Sequence, residues 1–282
     1  NLDLKDRLIK IVTNIETNKK AIKIKKLLFN EGKSSIEINK LTLINQRMRN
    51  FNNIKVKTFK DGQINNDFVI KFGKKITIQG SKYDATNLTK FLQKRGETNF
   101  FDILSKEITV NINEISTKVS DPISKFTLIG RIEKGKFNKI VSKGEFNDNE
   151  YIEISLREDK KKKKKVLEIY SDKPKPLLNN YKFFNGLIGG KFLLNTSYDT
   201  QVSDSRLVIE NFKVINAPGL VKLLSLADFG GMVDALSGEG LSFERLEMKM
   251  DKNEKILNLK ELYAIGPSIS ILMDGYVEKN KL

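Results

Sequence analysis

The feature that most constrains the fold is a strict alternation of apolar and polar residues near the C-terminus. Between residues 246 and 251, leucine and methionine alternate with charged residues, and shorter alternations follow at 257–259 and 269–273. Successive side chains of a strand point to opposite faces, so this period predicts strands with one apolar face. The preceding residues 218–236 have apolar side chains at helical spacing and begin with a proline suited to a first helical turn. This segment therefore predicts a half-apolar sheet with a short helix laid on it.

The same alternation recurs through most of the chain, separated by turn residues in the manner of antiparallel sheets. Helical spacing is confined to windows near 84–95, 176–184 and 218–236. We therefore predict a mainly β fold, an elongated and twisted antiparallel sheet with one apolar face and a few short helices. The candidate strands before residue 218 are 20–29, 36–43, 54–60, 64–72, 75–80, 106–119, 124–133, 136–146, 150–158, 165–170, 187–199 and 204–215.

Several motifs in the C-terminal half resemble a known family. The run NAPGLVKLLSLADFGGMVDALSGEGLSFERLEMKM begins at Asn216, and AIGPSISILMDGYVE begins at Ala264. Upstream, KPKPLL begins at Lys173 and YKFFNGLIGG begins at Tyr181. Together these motifs resemble, in order, the C-terminal region of AsmA-like envelope proteins, the group that includes YhdP. The resemblance is specific over 122–279.

The resemblance implies a repeating β-groove, an open trough lined by apolar side chains. It divides the chain into a β-groove segment at 1–121 and an AsmA-like C-terminal region at 122–282, continuous with the same sheet. It also implies a non-enzymatic role in the periplasm of Gram-negative cells, conducting phospholipid between inner and outer membranes and supporting outer-membrane integrity. The partners would be phospholipid acyl chains and the two membranes. A membrane anchor would lie outside this chain.

Residues on the apolar positions of the C-terminal strands are the candidates for lining such a groove. Methionine suits this role because its flexible thioether adapts to mobile chains. The ordinary alternative is that the same side chains pack against the helix predicted at 218–236. The predicted lipid-groove residues are Leu207, Ile209, Leu246, Met248, Met250, Leu257, Leu259, Ile269, Ile271 and Met273.

The composition argues against most catalytic chemistry. The chain has no cysteine and no histidine, which removes thiolate nucleophiles, disulfides, the usual zinc ligands and the usual general base. No serine-nucleophile motif is present, and the glycine pairs lack the context of a phosphate-binding loop. We therefore predict no enzyme activity, no cofactor and no metal. No apolar run approaches the roughly 20 residues that a membrane-spanning helix needs.

The net charge of +16 leaves a second class of function open. Residues 201–282 carry 10 basic and 12 acidic side chains, so the excess of positive charge lies within 1–200. Of the 51 basic residues only 8 are arginine, the side chain that best clamps phosphates and reads bases. The rival hypotheses are a basic β-module that binds nucleic acid or anionic polysaccharide, and a purely structural envelope protein. The run at 160–165, six lysines, reads as a solvated hairpin tip or as a contact for anionic head groups.

Overall fold

The chain folds into two compact units, Asn1–Gly144 and Glu145–Leu282. The boundary between these units follows Gly144, whereas the family resemblance places its boundary after residue 121. The computed structural model describes residues 10–17, 21–45, 47–86, 104–117, 121–146, 150–178, 186–216, 221–222, 225, 238–253 and 255–278.

The N-terminal unit is a sheet whose strands follow one another in chain order. Pairing is antiparallel from β1 to β7, except that the short β4 pairs with the end of β3 while β5 pairs with the rest of β3. Its strands are β1 (Lys10–Thr17), β2 (Ala21–Glu31), β3 (Ser34–Ile44), β4 (Arg47–Asn50), β5 (Asn53–Lys60), β6 (Gln63–Phe72), β7 (Ile76–Asp84), β8 (Lys106–Ser116), β9 (Ile123–Glu133) and β10 (Lys136–Glu145).

The pairing of β7 with β8 corrects the expectation of a wholly antiparallel sheet, because these two strands are parallel from Ile76 and Ile108 onward. A parallel pair needs a connection of a dozen or more residues to return the chain to the same end of the sheet. Residues 85–105 supply that length. At its start, an Asp84 Oδ1 atom accepts a hydrogen bond from the Thr86 backbone N–H at 3.0 Å. The predicted helix at 84–95 otherwise lies outside the described residues.

Tight turns connect the strands of two hairpins in this unit. Asp61 and Gly62 join β5 to β6 with φ of 51° and 78°, and Lys134 and Gly135 join β9 to β10 with φ of 48° and 73°. Positive φ at both central residues gives a turn whose twist matches that of the flanking strands. Glycine at the second position adopts this conformation without steric cost.

The C-terminal unit is an antiparallel meander of seven strands, each paired with the next along the chain. One helical turn, α1 (Lys175–Leu178), follows β12, and Leu178 of this turn is buried in the core. The strands are β11 (Tyr151–Asp159), β12 (Lys164–Ser171), β13 (Leu187–Tyr198), β14 (Ser203–Val214), β15 (Leu241–Lys252), β16 (Ile256–Ile265) and β17 (Ser270–Glu278).

The alternation of faces shifts by one residue midway along β14. Ile209 and Phe212 are three positions apart, yet both are buried in the same hydrophobic core. Asn211 between them has a left-handed φ of 52°, and Gly190, at the equivalent height on β13, has φ of 91°. These left-handed residues return Phe212 to the core face without a change in the cross-strand register, and its ring stacks on that of Phe243 at a centroid distance of 5.2 Å.

The prediction of a mainly β fold is confirmed, and every predicted strand before residue 218 has a counterpart among β2, β3 and β5–β14. Neither β1 nor the four-residue β4 was predicted from alternation. The helix predicted at 176–184 is present as α1, and residues 179–184 lie outside the described part of the chain. Of the helix predicted at 218–236, only residues 221, 222 and 225 are described, and these are helical.

Candidate functional site

Two adjacent rows of apolar side chains run straight across the sheet of the N-terminal unit. Cross-strand partners connect β2, β3, β5, β6, β7, β8 and β9 in both rows, so each row crosses seven strands. We call these two rows together the apolar strip. Its first row is Leu27, Ile38, Ile54, Ile70, Ile78, Val110 and Leu128, and its second row is Phe29, Ile36, Val56, Phe68, Gly80, Ile112 and Phe126.

The apolar strip is mostly half-buried and is therefore partly open to solvent. Ile112 is its one fully buried side chain at 2% exposure, while the other apolar members keep intermediate exposure. Neighbouring strands lie about 4.8 Å apart, so six spacings give a strip about 29 Å long. The hydrocarbon region of one membrane leaflet is about 15 Å deep. The strip is longer than this depth, so the whole of an extended acyl chain can lie along it.

The second row of the apolar strip contains a glycine, Gly80, and therefore lacks a side chain at this position. A Cβ atom at Gly80 would lie 2.4 Å from the Cβ of Phe68 and 2.3 Å from the carbonyl oxygen of Asp67. The Phe68 ring instead packs edge-on against Tyr83 at a centroid distance of 5.6 Å. The absence of a side chain at Gly80 therefore permits the close approach of β6 and β7 at this point.

The opposite face of the same strands is polar and ordered by charge pairs. The Glu37 carboxylate on β3 forms ion pairs with Lys26 Nζ of β2 at 2.8 Å and with Lys55 Nζ of β5 at 3.8 Å. These contacts lower the pKa of Glu37, with the Lys26 hydrogen bond as the largest cause. Lys82 and Glu114 form a further pair at 2.8 Å across the parallel strands. The N-terminal unit is thus an amphipathic sheet with one apolar and one charged face.

A hydrogen-bonded polar rim borders the apolar strip next to its second row. Thr58 lies two residues beyond Val56 on the same face, and its Oγ1 donates to Asn65 Oδ1 at 2.7 Å. Asn66 Nδ2 donates to Thr58 Oγ1 at 3.0 Å, and Asn66 Oδ1 accepts from the Asp84 N–H at 2.9 Å. The pKa of the Asp84 carboxyl is lowered, because the hydrogen bonds that it accepts outweigh the opposing effect of partial burial. The apolar strip here meets a network of hydroxyl and amide groups that includes the Asp84 carboxylate.

The C-terminal unit presents a comparable apolar face, which contains most of the predicted lipid-groove residues. Three cross-strand rows lie on this face, each crossing β11 to β17. Row A is Ile152, Ser171, Phe192, Ile209, Leu246, Ala264 and Ile271; row B is Ile154, Ile169, Leu194, Leu207, Met248, Leu262 and Met273; row C is Leu156, Leu167, Thr196, Ser205, Met250, Leu259 and Gly275.

Burial divides the predicted lipid-groove residues into two sets. Four of them are members of the buried core, with exposures between 0% and 9%: Leu207, Ile209, Leu246 and Met248. Five pack against that core while remaining partly exposed: Met250, Leu259, Ile269, Ile271 and Met273. Val221, which belongs to the helix predicted at 218–236, also packs against this core. At least part of this apolar face therefore contacts the predicted helix, which was the alternative to lining a groove. Leu257 is 39% exposed and is not part of the cluster.

The cations around a shallow cleft of the C-terminal unit are engaged in ion pairs. This cleft of about 440 Å³ is lined in part by Thr196, Ser205, Arg206 and Lys249. Its cations are already paired, Arg206 with Glu247 at 2.7 Å and Lys249 with a second carboxylate, Glu261, at 2.7 Å. In the part of the chain that the structure describes, no group of three or more potential metal-ligating residues is found. No described helix is long and apolar enough to cross a membrane.

Comparison of the chain with family models, curated proteins and solved structures finds no match.

The sequence analysis missed the apolar strip, although it predicted the strands that form it. The signal was present on β3 and β5, where Ile36 and Ile38 flank Glu37, and Ile54 and Val56 flank Lys55. What alternation in a single strand cannot provide is the register that aligns these positions into one surface. The candidates were therefore confined to the C-terminal strands, where the family resemblance is strongest.

Proposed function

We propose that this protein binds phospholipid acyl chains on its apolar sheet faces and conducts them without catalysis. The observation that supports the proposal is the apolar strip, which crosses seven strands and is partly open to solvent. Transferring an acyl chain to water costs about 0.8 kcal/mol per methylene, or on the order of 10 kcal/mol for a sixteen-carbon chain. A continuous apolar surface offsets this cost over its whole length.

The geometry also supports movement of lipid in preference to a single fixed position. Along the strip, the side chains repeat with the strand spacing and include no ionised group, so successive positions are chemically alike. The polar rim offers hydroxyl and amide groups to a head group, while the acyl chain contacts the strip. An acyl chain can therefore move along the strip by exchanging contacts with one strand for contacts with the next, and no chemical step is needed.

The resemblance to AsmA-like proteins extends the proposal to a cellular role. By that resemblance, the protein would act in the periplasm of a Gram-negative cell, as part of an inner-membrane-anchored envelope protein. It would transfer phospholipid between inner and outer membranes and so support outer-membrane integrity. The amphipathic sheets are compatible with this role, because each has an apolar face for lipid and a charged face for water.

Lipid occupancy of the purified protein tests the proposal. We expect native mass spectrometry of detergent-free protein from a Gram-negative host to show adducts with phospholipid masses, and organic extraction to recover the same lipids. Photocrosslinking residues at positions 56, 68 and 126 should capture lipid in cells. The same residues at 55, 57 and 127 lie on the opposite face and should capture none. Equal labelling of both faces, or protein free of lipid, would contradict the proposal.

Salt dependence separates the proposal from polyanion binding. Contacts with nucleic-acid phosphates weaken steeply as the salt concentration rises, because condensed counterions are released on binding. Capture of acyl chains by the strip depends on removal of apolar surface from water and should vary little over the same range. Tight, salt-sensitive binding of nucleic acid or anionic polysaccharide by lipid-free protein would favour the rival function.

A further inference from the structure

Three hairpin turns lie at the same end of the C-terminal sheet, and all three have the same side-chain cap. They join β11 to β12, β13 to β14 and β15 to β16. In each, an Asp or Asn side chain accepts hydrogen bonds from the backbone N–H groups two and three residues later, which holds the turn in one conformation. The donors are Lys161 and Lys162 to Asp159, Gln201 and Val202 to Asp199, and Lys255 and Ile256 to Asn253, at 2.8–3.1 Å.

The β11–β12 turn presents four consecutive lysines, Lys160–Lys163, and all four are exposed. No ion pair joins their side chains to any residue in the described part of the chain. Of the carboxylates near this turn, Asp159 caps the backbone and Glu158 lies opposite Lys165 in the strand register. The β11–β12 turn therefore places four exposed positive charges close together on a backbone that the Asp159 cap holds in one conformation.

Apolar side chains are exposed at the same end of the sheet. Val202 is 40% exposed, Leu257 is 39% exposed and Val277 is 49% exposed. The next cross-strand row beyond row C lies on the same face as rows A to C and contains both lysines and aliphatic residues. This row is Glu158, Lys165, Tyr198, Ser203, Lys252, Leu257 and Val277. The apolar face thus ends in a border where lysines and exposed aliphatic groups occur together.

We propose that this end of the C-terminal unit docks onto the surface of an anionic lipid bilayer. The lysines of the β11–β12 turn would lie over the negative head groups, with the exposed aliphatic side chains at the interface. A basic residue near such a surface contributes about 1 kcal/mol of attraction, and adjacent apolar groups add to it. None of the three turns contains arginine or an aromatic residue, the side chains that favour nucleic acid.

The docking surface goes beyond the proposed function and is tested separately from it. The apolar strip concerns capture of single lipid molecules, which native mass spectrometry detects without any membrane. The turns concern attachment to an intact bilayer, which vesicle flotation detects whether or not lipid is captured. Failure of one experiment therefore leaves the result of the other interpretable.

Flotation with vesicles of two compositions tests docking. We expect the protein to float with vesicles of phosphatidylcholine and phosphatidylglycerol, and to bind vesicles of phosphatidylcholine alone far more weakly. Added salt should release it, because charges beyond a Debye length are screened. The variant K160Q/K161Q/K162Q/K163Q should bind the anionic vesicles about 600-fold more weakly, at about fivefold for each of the four lysines.

A second quadruple variant controls for the loss of net charge. K33Q/K57Q/K71Q/K139Q removes four exposed lysines from the N-terminal unit and lowers the net charge equally. It should retain nearly all of its vesicle binding, and both variants should unfold at the temperature of the wild type. Equal losses in the two variants would overturn the proposal, as would binding that ignores phosphatidylglycerol. Lysine-dependent binding of single-stranded nucleic acid without vesicle binding would also overturn it.

Discussion

Arg206 on β14 and Glu247 on β15 form a two-point ion pair on the charged face of the C-terminal sheet. The Nε and Nη2 atoms of Arg206 donate to the two carboxylate oxygens of Glu247 at 2.7 and 2.8 Å. The register places Lys249 opposite Arg206, so this pair is diagonal to the strands. Arg245 Nη2 approaches the same carboxylate at 3.1 Å. Glu247 thus holds two guanidinium groups, on the reverse of the face that contains Leu246 and Met248.

The first prediction concerns this carboxylate. The hydrogen bond from Arg206, followed by that from Arg245, lowers the pKa of Glu247 from 4.5 to about 2. Its stabilising contribution is therefore complete above about pH 4.5 and is lost as the pH falls towards 2. We expect Glu247→Gln to lower the free energy of unfolding by about 1 kcal/mol at pH 7, a small figure because Arg206 is half-exposed. Urea unfolding at several pH values measures this.

Glu168→Gln is the matched control for Glu247→Gln. Glu168 lies on the same charged face of β12, is exposed, and has no ion pair with a described residue. Its substitution should change the free energy of unfolding by less than about 0.5 kcal/mol. The difference between wild type and Glu247→Gln should vanish near pH 2. A difference that persists there would show that the substitution acts through packing and not through loss of the charge pair.

The strands of the sheet were predictable because burial on one face imposes a period of two. Ile54 and Val56 alternate with Lys55 and Lys57, and β5 contains all four. By contrast, β4 consists of only four residues, Arg47–Asn50, which is too short for a period to appear. Local periodicity therefore identifies the long strands and misses the short ones.

Register and strand direction were less predictable, because they depend on contacts between distant segments. The left-handed φ of Asn211 shifts the faces of β14 without changing its register with β13 or β15. Asparagine tolerates this conformation better than most residues, but an asparagine within a strand does not by itself identify it. The parallel pairing that begins at Ile76 and Ile108 depends on the path of the connection between them. The parallel pairing, together with the register of the other strands from β2 to β9, decides which apolar residues share a surface in the N-terminal unit, so the apolar strip emerged only from the structure.

The second prediction concerns Gly80 in the apolar strip. A methyl group there would meet the backbone of β6, with the Asp67 carbonyl oxygen at 2.3 Å and the Phe68 Cα at 2.6 Å. Backbone atoms cannot move aside as the end of a side chain does. We therefore expect Gly80→Ala to destabilise the protein by about 1–3 kcal/mol, measured by urea unfolding.

Gly73→Ala tests whether this effect arises from the close contact. At Gly73 the nearest atom to an added Cβ is the Lys75 carbonyl oxygen at 3.9 Å, an ordinary contact. Replacing glycine with alanine at an unstrained position also reduces the entropy of the unfolded chain. The control should therefore be neutral or slightly stabilising. Equal destabilisation by the two substitutions would contradict the steric explanation.

The third prediction concerns Met248, which is 9% exposed in the core of the C-terminal unit. Aspartate at this position would place a carboxylate without a partner among Leu207, Leu262 and other apolar side chains. We expect Met248→Asp to lower the free energy of unfolding by about 3–5 kcal/mol. Leu272→Asp, on the opposite face and 77% exposed, should change it by less than about 0.5 kcal/mol. Similar costs for the two would mean that Met248 does not pack into this core.

The last prediction separates the two faces of the N-terminal sheet with a pair of matched substitutions. Val56 on β5 belongs to the apolar strip, whereas Val69 on the adjacent β6 lies opposite Lys55 on the charged face. Both valines are half-buried, so a change to aspartate alters size, charge and exposure similarly. A carboxylate within the strip would have to lose water to contact an acyl chain, at a cost of at least about 2 kcal/mol.

We therefore expect Val56→Asp to reduce co-purified phospholipid at least about tenfold, measured by native mass spectrometry and by extraction. Val69→Asp should retain lipid at the wild-type level, because Val69 lies on the face opposite the apolar strip. Both variants should show similar free energies of unfolding, so that a loss of lipid reports the surface and not the fold. Equal retention by the two variants would mean that lipid does not contact the strip at β5, and equal loss would mean that binding depends only on net charge or stability.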